Sequence, residues 1–357
     1  MKQSYSVLSL IFLLIMLPMA TVYSQNGIPD NKGKEFWLMF NRNNDNSGVN
    51  LDLFISGDVP TTGKVNLPNN VVIDFSVTPG EITKVDLPTS LLANLDDEIS
   101  DKGVHVLAEN EITVYGLNQR SASTDAFLGL PVDILGNEYI IMSYTSWSST
   151  VTLASVFGVV ATEDNTKVTI IPANGTRLRA EGVPYEITLQ KGQTYQLAAA
   201  ISGRDLTGTI ISSDAPISVF SGHTCSNVPL GTTYCDHLIE QIPPVSSLGQ
   251  SFVTTPLSTR RSGDIFRILA TKDGTNVSVV GTQGFTQDFV LGKGEFKELS
   301  IPSNVYANIE SNQAILVAQY SKGQTSDGVI SDPFMMLIPP FEQFQNQYTV
   351  STPSVGF

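Results

Sequence analysis

"VVATEDNTKVTIIP" (159–172) and "ILATKDGTNVSVVG" (268–281) are the same arrangement written twice. Each is a β-branched run, a four-residue polar turn and a second β-branched run. Asp273-Gly274 in the later copy is a strong hairpin signal, because a tight turn between twisted strands needs a residue that accepts positive φ. A fainter third copy is "LFISGDVPTTGKVNLP" (53–68). Self-similarity at long period is the mark of a chain built from stacked units that bury a shared core.

The repeat extends outward from these pairs. Downstream of each copy lies a glycine hairpin: "TPGEITKVDL" (78–87), "LQKGQTYQL" (189–197) and "LGKGEFKEL" (291–299). Strands ending "ITVYGLN" (112–118), "ISVFSGH" (217–223) and "ILVAQYS" (315–321) follow. A second block then recurs as "LPVDILGNEY" (130–139), "PPVSSLGQSF" (243–252) and "PPFEQFQNQY" (339–348). It aligns Pro131, Pro244 and Pro340, and eight residues later Tyr139, Phe252 and Tyr348. An acid precedes each proline by six to eight residues: Asp125, Asp236 and Asp332. Carboxylates so placed satisfy backbone donors at turns, while the prolines set extended segments between units and the aromatics pack beneath them.

Short strands bounded by Gly, Pro, Asn and Asp run the length of the chain, and no helical periodicity persists, so the fold class is all-β. "PTSLLANLDDE" (88–98) is the one short helix the pattern predicts. Three units of about 100 residues follow, over about 33–140, 141–253 and 254–357. The expected architecture is sandwich-like units packed together, with a six-bladed propeller-like arrangement as the alternative.

The N-terminus carries Lys2, then the apolar run "VLSLIFLLIMLPMA" (7–20), then small residues at Val22 and Ser24 before a polar stretch. That order predicts a signal peptide over 1–24, cleaved between Ser24 and Gln25, and a mature chain of 25–357 placed outside the cell or on its surface. No other stretch is long and apolar enough to span a bilayer. The formal net charge of −14 excludes nucleic acid and anionic membrane surfaces as partners. "NNDNSG" (43–48) imitates the start of a calcium loop, but Phe54 stands where the bidentate acid belongs, so it reads as a polar turn.

Both cysteines and two of the three histidines sit in "SGHTCSNVPLGTTYCDHLIEQIPP" (221–244). His223, Cys225, Cys235 and His237 are a possible zinc set, but pairs separated by one residue depart from the usual two to four. With export, an even cysteine count reads instead as a disulfide between Cys225 and Cys235. The staple would make the loop with Asn227, Pro229 and Tyr234 an outward recognition surface, with His223 and His237 at its base modulating binding near pH 6. No serine here is framed as a nucleophile elbow, and no cofactor fingerprint is present, so the reading is a binder without cofactors and not an enzyme.

Several ordered blocks carry a family resemblance: "GKEFWLMF" (33–40), "ITVYGLNQRSASTDAFLGLPVDILGNEY" (112–139), "APISVFSGHTCSNVP" with "CDHLIEQIPPVSSLGQSF", and "DPFMMLIPPFEQFQNQYTVSTP" (332–353). Together they resemble the N-terminal domain of the IgGFc-binding protein family. The resemblance implies a secreted adhesion or recognition module for an extracellular protein or glycoprotein. IgG Fc enters as a partner by resemblance only, and a structural surface or matrix component is the alternative. It also supports the Cys225–Cys235 pairing, while the von Willebrand type D modules of mucin-like members are absent from this chain.

Overall fold

The computed structural model describes residues 30–93 and 96–344; the expected cleavage site and Tyr348 lie outside them. The described residues form β-strands joined by loops and short 3-10 turns, with no α-helix among them. It forms three sheets of seven, eight and seven strands. The spine of each is one long strand: Val104–Arg120, Ile210–Ser226 and Ala307–Tyr320.

Each long strand hydrogen-bonds to most of its unit. The two strands of each copy do not form the expected hairpin; they lie end to end along one edge of the spine, Ser155–Ala161 beside the later part of Ile210–Ser226 and Thr166–Ile171 beside its start, as Asp264–Ala270 and Thr275–Gly281 lie along Ala307–Tyr320. Each spine runs through two four-stranded groups: in the first unit its early half joins Gly33–Leu38, Thr61–Leu67 and Val71–Val77, and its late half joins Asn50–Ser56, Thr83–Leu87 and Ser123–Leu128. The expectation of three tandem β units is borne out, each a curled sheet folded about one shared strand.

An opening strand crosses each spine in the same register. Gly33 faces Ile112, Gly136 faces Ile217 and Gly249 faces Ile315, with a bulge after each glycine's pair. The opening strands Gly136–Ile140 and Gly249–Thr254 therefore lie in the sheets of the units that follow them. The glycine is required by a close approach. A β-carbon on Gly33, Gly136 or Gly249 would lie 2.2, 2.7 or 2.3 Å from the Cβ of Pro131, Pro244 or Pro340. Each repeated proline thus closes its unit onto that unit's own first residue.

The helix expected over 88–98 does not form; a 3-10 turn at Thr89–Leu91 stands in its place. Leu92 bridges to Phe40, and the Ala93 amide donates to the Phe40 carbonyl at 2.8 Å, so tertiary pairing takes a donor that a helix would need. "NNDNSG" is the polar turn expected, with the Asp45 carboxylate accepting from the Ser47 amide at 3.0 Å and from Arg120 at 3.2 Å. No helix among the described residues is long and apolar enough to cross a membrane.

The units are packed into one body. Val160, Phe220 and Ile239 of the second unit complete the core of the first, and Ile265, Leu269 and Tyr320 of the third enter the core of the second. Strand Glu98–Asp101 leaves the first unit altogether and pairs with Gln193–Ala199 in the second sheet. Arg267 crosses the next junction, donating to the Ser143 carbonyl and to Asp205, each at 2.7 Å.

Adding a methyl group at the glycine–proline contact should overpack it. G136A is expected to lower unfolding stability by about 1–3 kcal/mol. P244G in the same chain, which removes the Cβ that the new methyl would meet, should restore part of that loss, measured by denaturant unfolding of all four members of the cycle; additive single effects would show that the contact does not set the closure.

Candidate functional site

The long strand Ile210–Ser226 delivers Cys225 to its own end, and Asp236–Ile242 begins one residue after Cys235. The two sulfurs are bonded, with Cα atoms 5.1 Å apart. The zinc-cage alternative is thereby excluded, since both thiolates are spent.

The loop between them is stapled, but it is no free projection. Gly323 donates its amide to the Val228 carbonyl at 2.7 Å, and the Thr233 amide donates to Thr325 Oγ1 at 3.0 Å, tethering the loop to the third unit. Inside the loop, Asn227 Nδ2 donates to the Thr232 carbonyl and the Thr232 hydroxyl to the Pro229 carbonyl. Asn227 is therefore buried, Pro229 is half-buried, and Tyr234 stands exposed with its backbone in the left-handed region at φ 65°. A bulky aromatic in that conformation is uncommon and is held only where the surroundings over-determine it.

His223 and His237 do not belong to a surface. Both are fully buried. Asn118 donates its Nδ2 to His237 Nε2 at 3.2 Å, and the Cys225 amide donates to His223 Nδ1 at 3.1 Å, so both rings accept as neutral imidazoles. Loss of hydration on burial pulls their pKa values down to about 3 and about 4. The expectation of modulation near pH 6 fails for that reason: neither ring takes a proton there. The third histidine, His105, is half-buried, bonded to Glu35 at 2.8 Å and stacked on Trp37 at 4.0 Å.

The three acids occupy a junction. Asp125 accepts from the Ile239 amide at 3.0 Å, and Asp236 from the Thr124 amide at 2.6 Å and the His237 amide at 2.7 Å. Each of these two carboxylates thus satisfies a backbone donor of the other unit. Their rungs differ, however. Asp125 faces Asn118 and Leu238 faces His223 across spines of matching register, whereas Asp236 faces Ser226 beyond a bulge. Asp332 is exposed. Burial, with Asp332 as a lesser contributor, pushes the Asp236 carboxyl up to about 7. Burial likewise raises Asp125 and Glu240 well above the usual carboxyl range, opposed by the amides of Ile239 and Leu337.

Beside the loop lies a cleft of about 540 Å³ where the first two units meet. Asn44 and Ala122 come from the first unit; Trp147, the disulfide, Asn227 and Tyr234 come from the second. Trp147 Nε1 donates to the Cys225 carbonyl at 3.1 Å, which fixes the ring, and 43% of the residue remains exposed. Sequence reading passed over Trp147. A tryptophan alone among serines and threonines ("SYTSWSST", 143–150) was the available signal.

Two predictions follow from the geometry. A carboxyl at about 7 in the native state, against 3.8 when unperturbed, keeps a proton that the unfolded chain has lost between those pH values. Its stabilisation is therefore complete below about pH 4 and lost as pH rises to 7, at up to about 1.4 kcal/mol per pH unit. Relative to wild type, D236N should gain melting temperature between pH 4.5 and 7.5; parallel profiles would refute the assignment. Separately, the native protein should show no reactive thiol, and replacing both cysteines by serine should cost about 2–4 kcal/mol in unfolding experiments.

Comparison with known proteins places these features. The family described as IgGFc binding protein matches residues 125–356. The human IgGFc-binding protein is 24% identical over 288 residues, which is 80% of this chain and 5% of that protein's length. Two solved structures align weakly. The major pilin of Streptococcus pyogenes is 10% identical, covers 85% of this chain and 97% of its own, and has a TM-score of 0.16. A tetra-tandem repeat from the extending region of a large adhesion protein is 12% identical, covers 87% and 76%, and scores 0.11. Neither score supports a shared fold. The family match spans well over half of the chain, including both cysteines and all three repeated prolines, and the chain belongs to the IgGFc-binding protein family.

Proposed function

We propose that this chain is an extracellular, non-enzymatic binding module for a protein or glycoprotein, and that the face carrying the stapled loop makes the contact. The observation that carries this reading is the preorganisation of that loop. The disulfide closes it, the third unit anchors it through Gly323 and Thr325, and Leu230 and Tyr234 are left facing solvent. An ordered loop loses little entropy on contact, and exposed aromatics on rigid backbone are efficient anchors. Family membership supports the same reading.

A catalytic reading finds less support. The two histidines next to the loop are buried and neutral, so neither can exchange protons with a bound substrate. His105 is committed to Glu35 and Trp37.

The test is surface binding with the full chain immobilised through its C-terminus. Human IgG Fc, a mucin-type glycoprotein and an unrelated globular protein serve as probes. Saturable binding to one of the first two, weakened at least tenfold by the Cys225→Ser, Cys235→Ser double variant, is expected. Concentration-dependent self-association without any saturable ligand would overturn the reading in favour of a structural component.

A further inference from the structure

We propose that the cleft beside the stapled loop is a subsite for a neutral sugar residue of a glycan, an assignment that rests on the binding function above and names its ligand class. No charged side chain lines this cleft. An anionic ligand would find no cation there, and a cationic one no carboxylate. Its volume of about 540 Å³ falls within the range of small-molecule sites.

What the cleft offers is two aromatic rings, and two of the residues that line it, Asn44 and Asn227, each hold a buried amide oxygen with no partner. Trp147 turns its N–H inward to the Cys225 carbonyl, so the exposed part of the residue is apolar ring. Tyr234, 61% exposed, stands on the same cleft in its left-handed backbone conformation. Rigid aromatic rings suit the C–H face of a pyranose, which is apolar although its rim carries hydroxyls.

The acceptors complete the match. Asn227 is only 6% exposed, and its Nδ2 is engaged by the Thr232 carbonyl, which fixes the amide's orientation. Its Oδ1 has no hydrogen-bond partner. Asn44 Oδ1, on the facing unit, has none either. Buried polar atoms are normally satisfied, and those left over mark places where a further group donates. Neutral sugar hydroxyls are donors of that kind, and acceptor oxygens with no cation nearby disfavour carboxylate-bearing sugars.

Tryptophan fluorescence reads the site directly. The chain has two tryptophans, and Trp37 is buried against His105, so a ligand-dependent change reports on Trp147. The full chain is titrated with glycans from an array of neutral and sialylated oligosaccharides. At least one neutral glycan should shift the emission saturably, and sialylation of its terminal sugar should not strengthen binding. W147A and Y234A should each weaken binding at least tenfold. Tyr234 is exposed, so its variant keeps the assay decisive if W147A fails to fold. A mucin-type glycoprotein is then compared before and after enzymatic deglycosylation. Equal binding of both forms, or neutral-glycan binding untouched by Y234A, would overturn the sugar subsite and leave the binding module standing. Binding of neither form, with no glycan bound, would overturn both.

Discussion

A proline ring resting on a glycine where no β-carbon fits is the contact on which this architecture depends. It occurs at Gly33 with Pro131, Gly136 with Pro244 and Gly249 with Pro340. The glycine is the first residue of its unit's opening strand, and the proline lies just past the unit's end. Their contact holds the opening strand in one register against the spine, and side-chain faces on a strand alternate by residue. A slip of one position would turn Phe36, Tyr139 and Phe252, all buried, toward solvent.

With register fixed, the junctions can afford polar groups that would otherwise be costly. Arg267 is almost wholly buried, yet Asp205, Glu298 and the Ser143 carbonyl absorb its donors, and it lies 4.1 Å from the ring centroid of Tyr144. Removing a partner from such a set leaves an unpaired charge in a dry interface, which is far worse than never having had one. Asp125 and Asp236 follow the same logic with backbone amides. These groups are specific to position, so they select one packing of the three units.

The repeated strand pairs (though not their end-to-end placement on one spine edge in place of a hairpin), the strand endings at 112–118, 217–223 and 315–321 and the proline blocks were legible in the sequence, because each rests on local chemistry: β-branched runs, turn residues and fixed spacing. Features formed across units were not. Nothing in "DDEISD" (96–101) announces a strand that joins the next sheet, and "PTSLLANLDDE" reads as helix until Phe40 claims its amide. His223 and His237 looked like surface residues because two histidines beside two cysteines are usually chemistry. Here their neighbours, Asn118 and the Cys225 amide, hold them neutral inside the junction. The cleft was invisible for the same reason, since Asn44 and Trp147 meet only when the first two units dock.

Strand Glu98–Asp101 belongs to the first unit by position in the chain and to the second by hydrogen bonding. The second sheet is therefore finished by a piece made before any of its own strands. During synthesis that piece has no sheet partner until Gln193–Ala199 emerges about 90 residues later to pair with it. Assembly accordingly has a direction, from N-terminus to C-terminus. It also has an evolutionary consequence: the second repeat cannot be cut out, duplicated or transplanted by itself, because the gene segment encoding it lacks one of its edges.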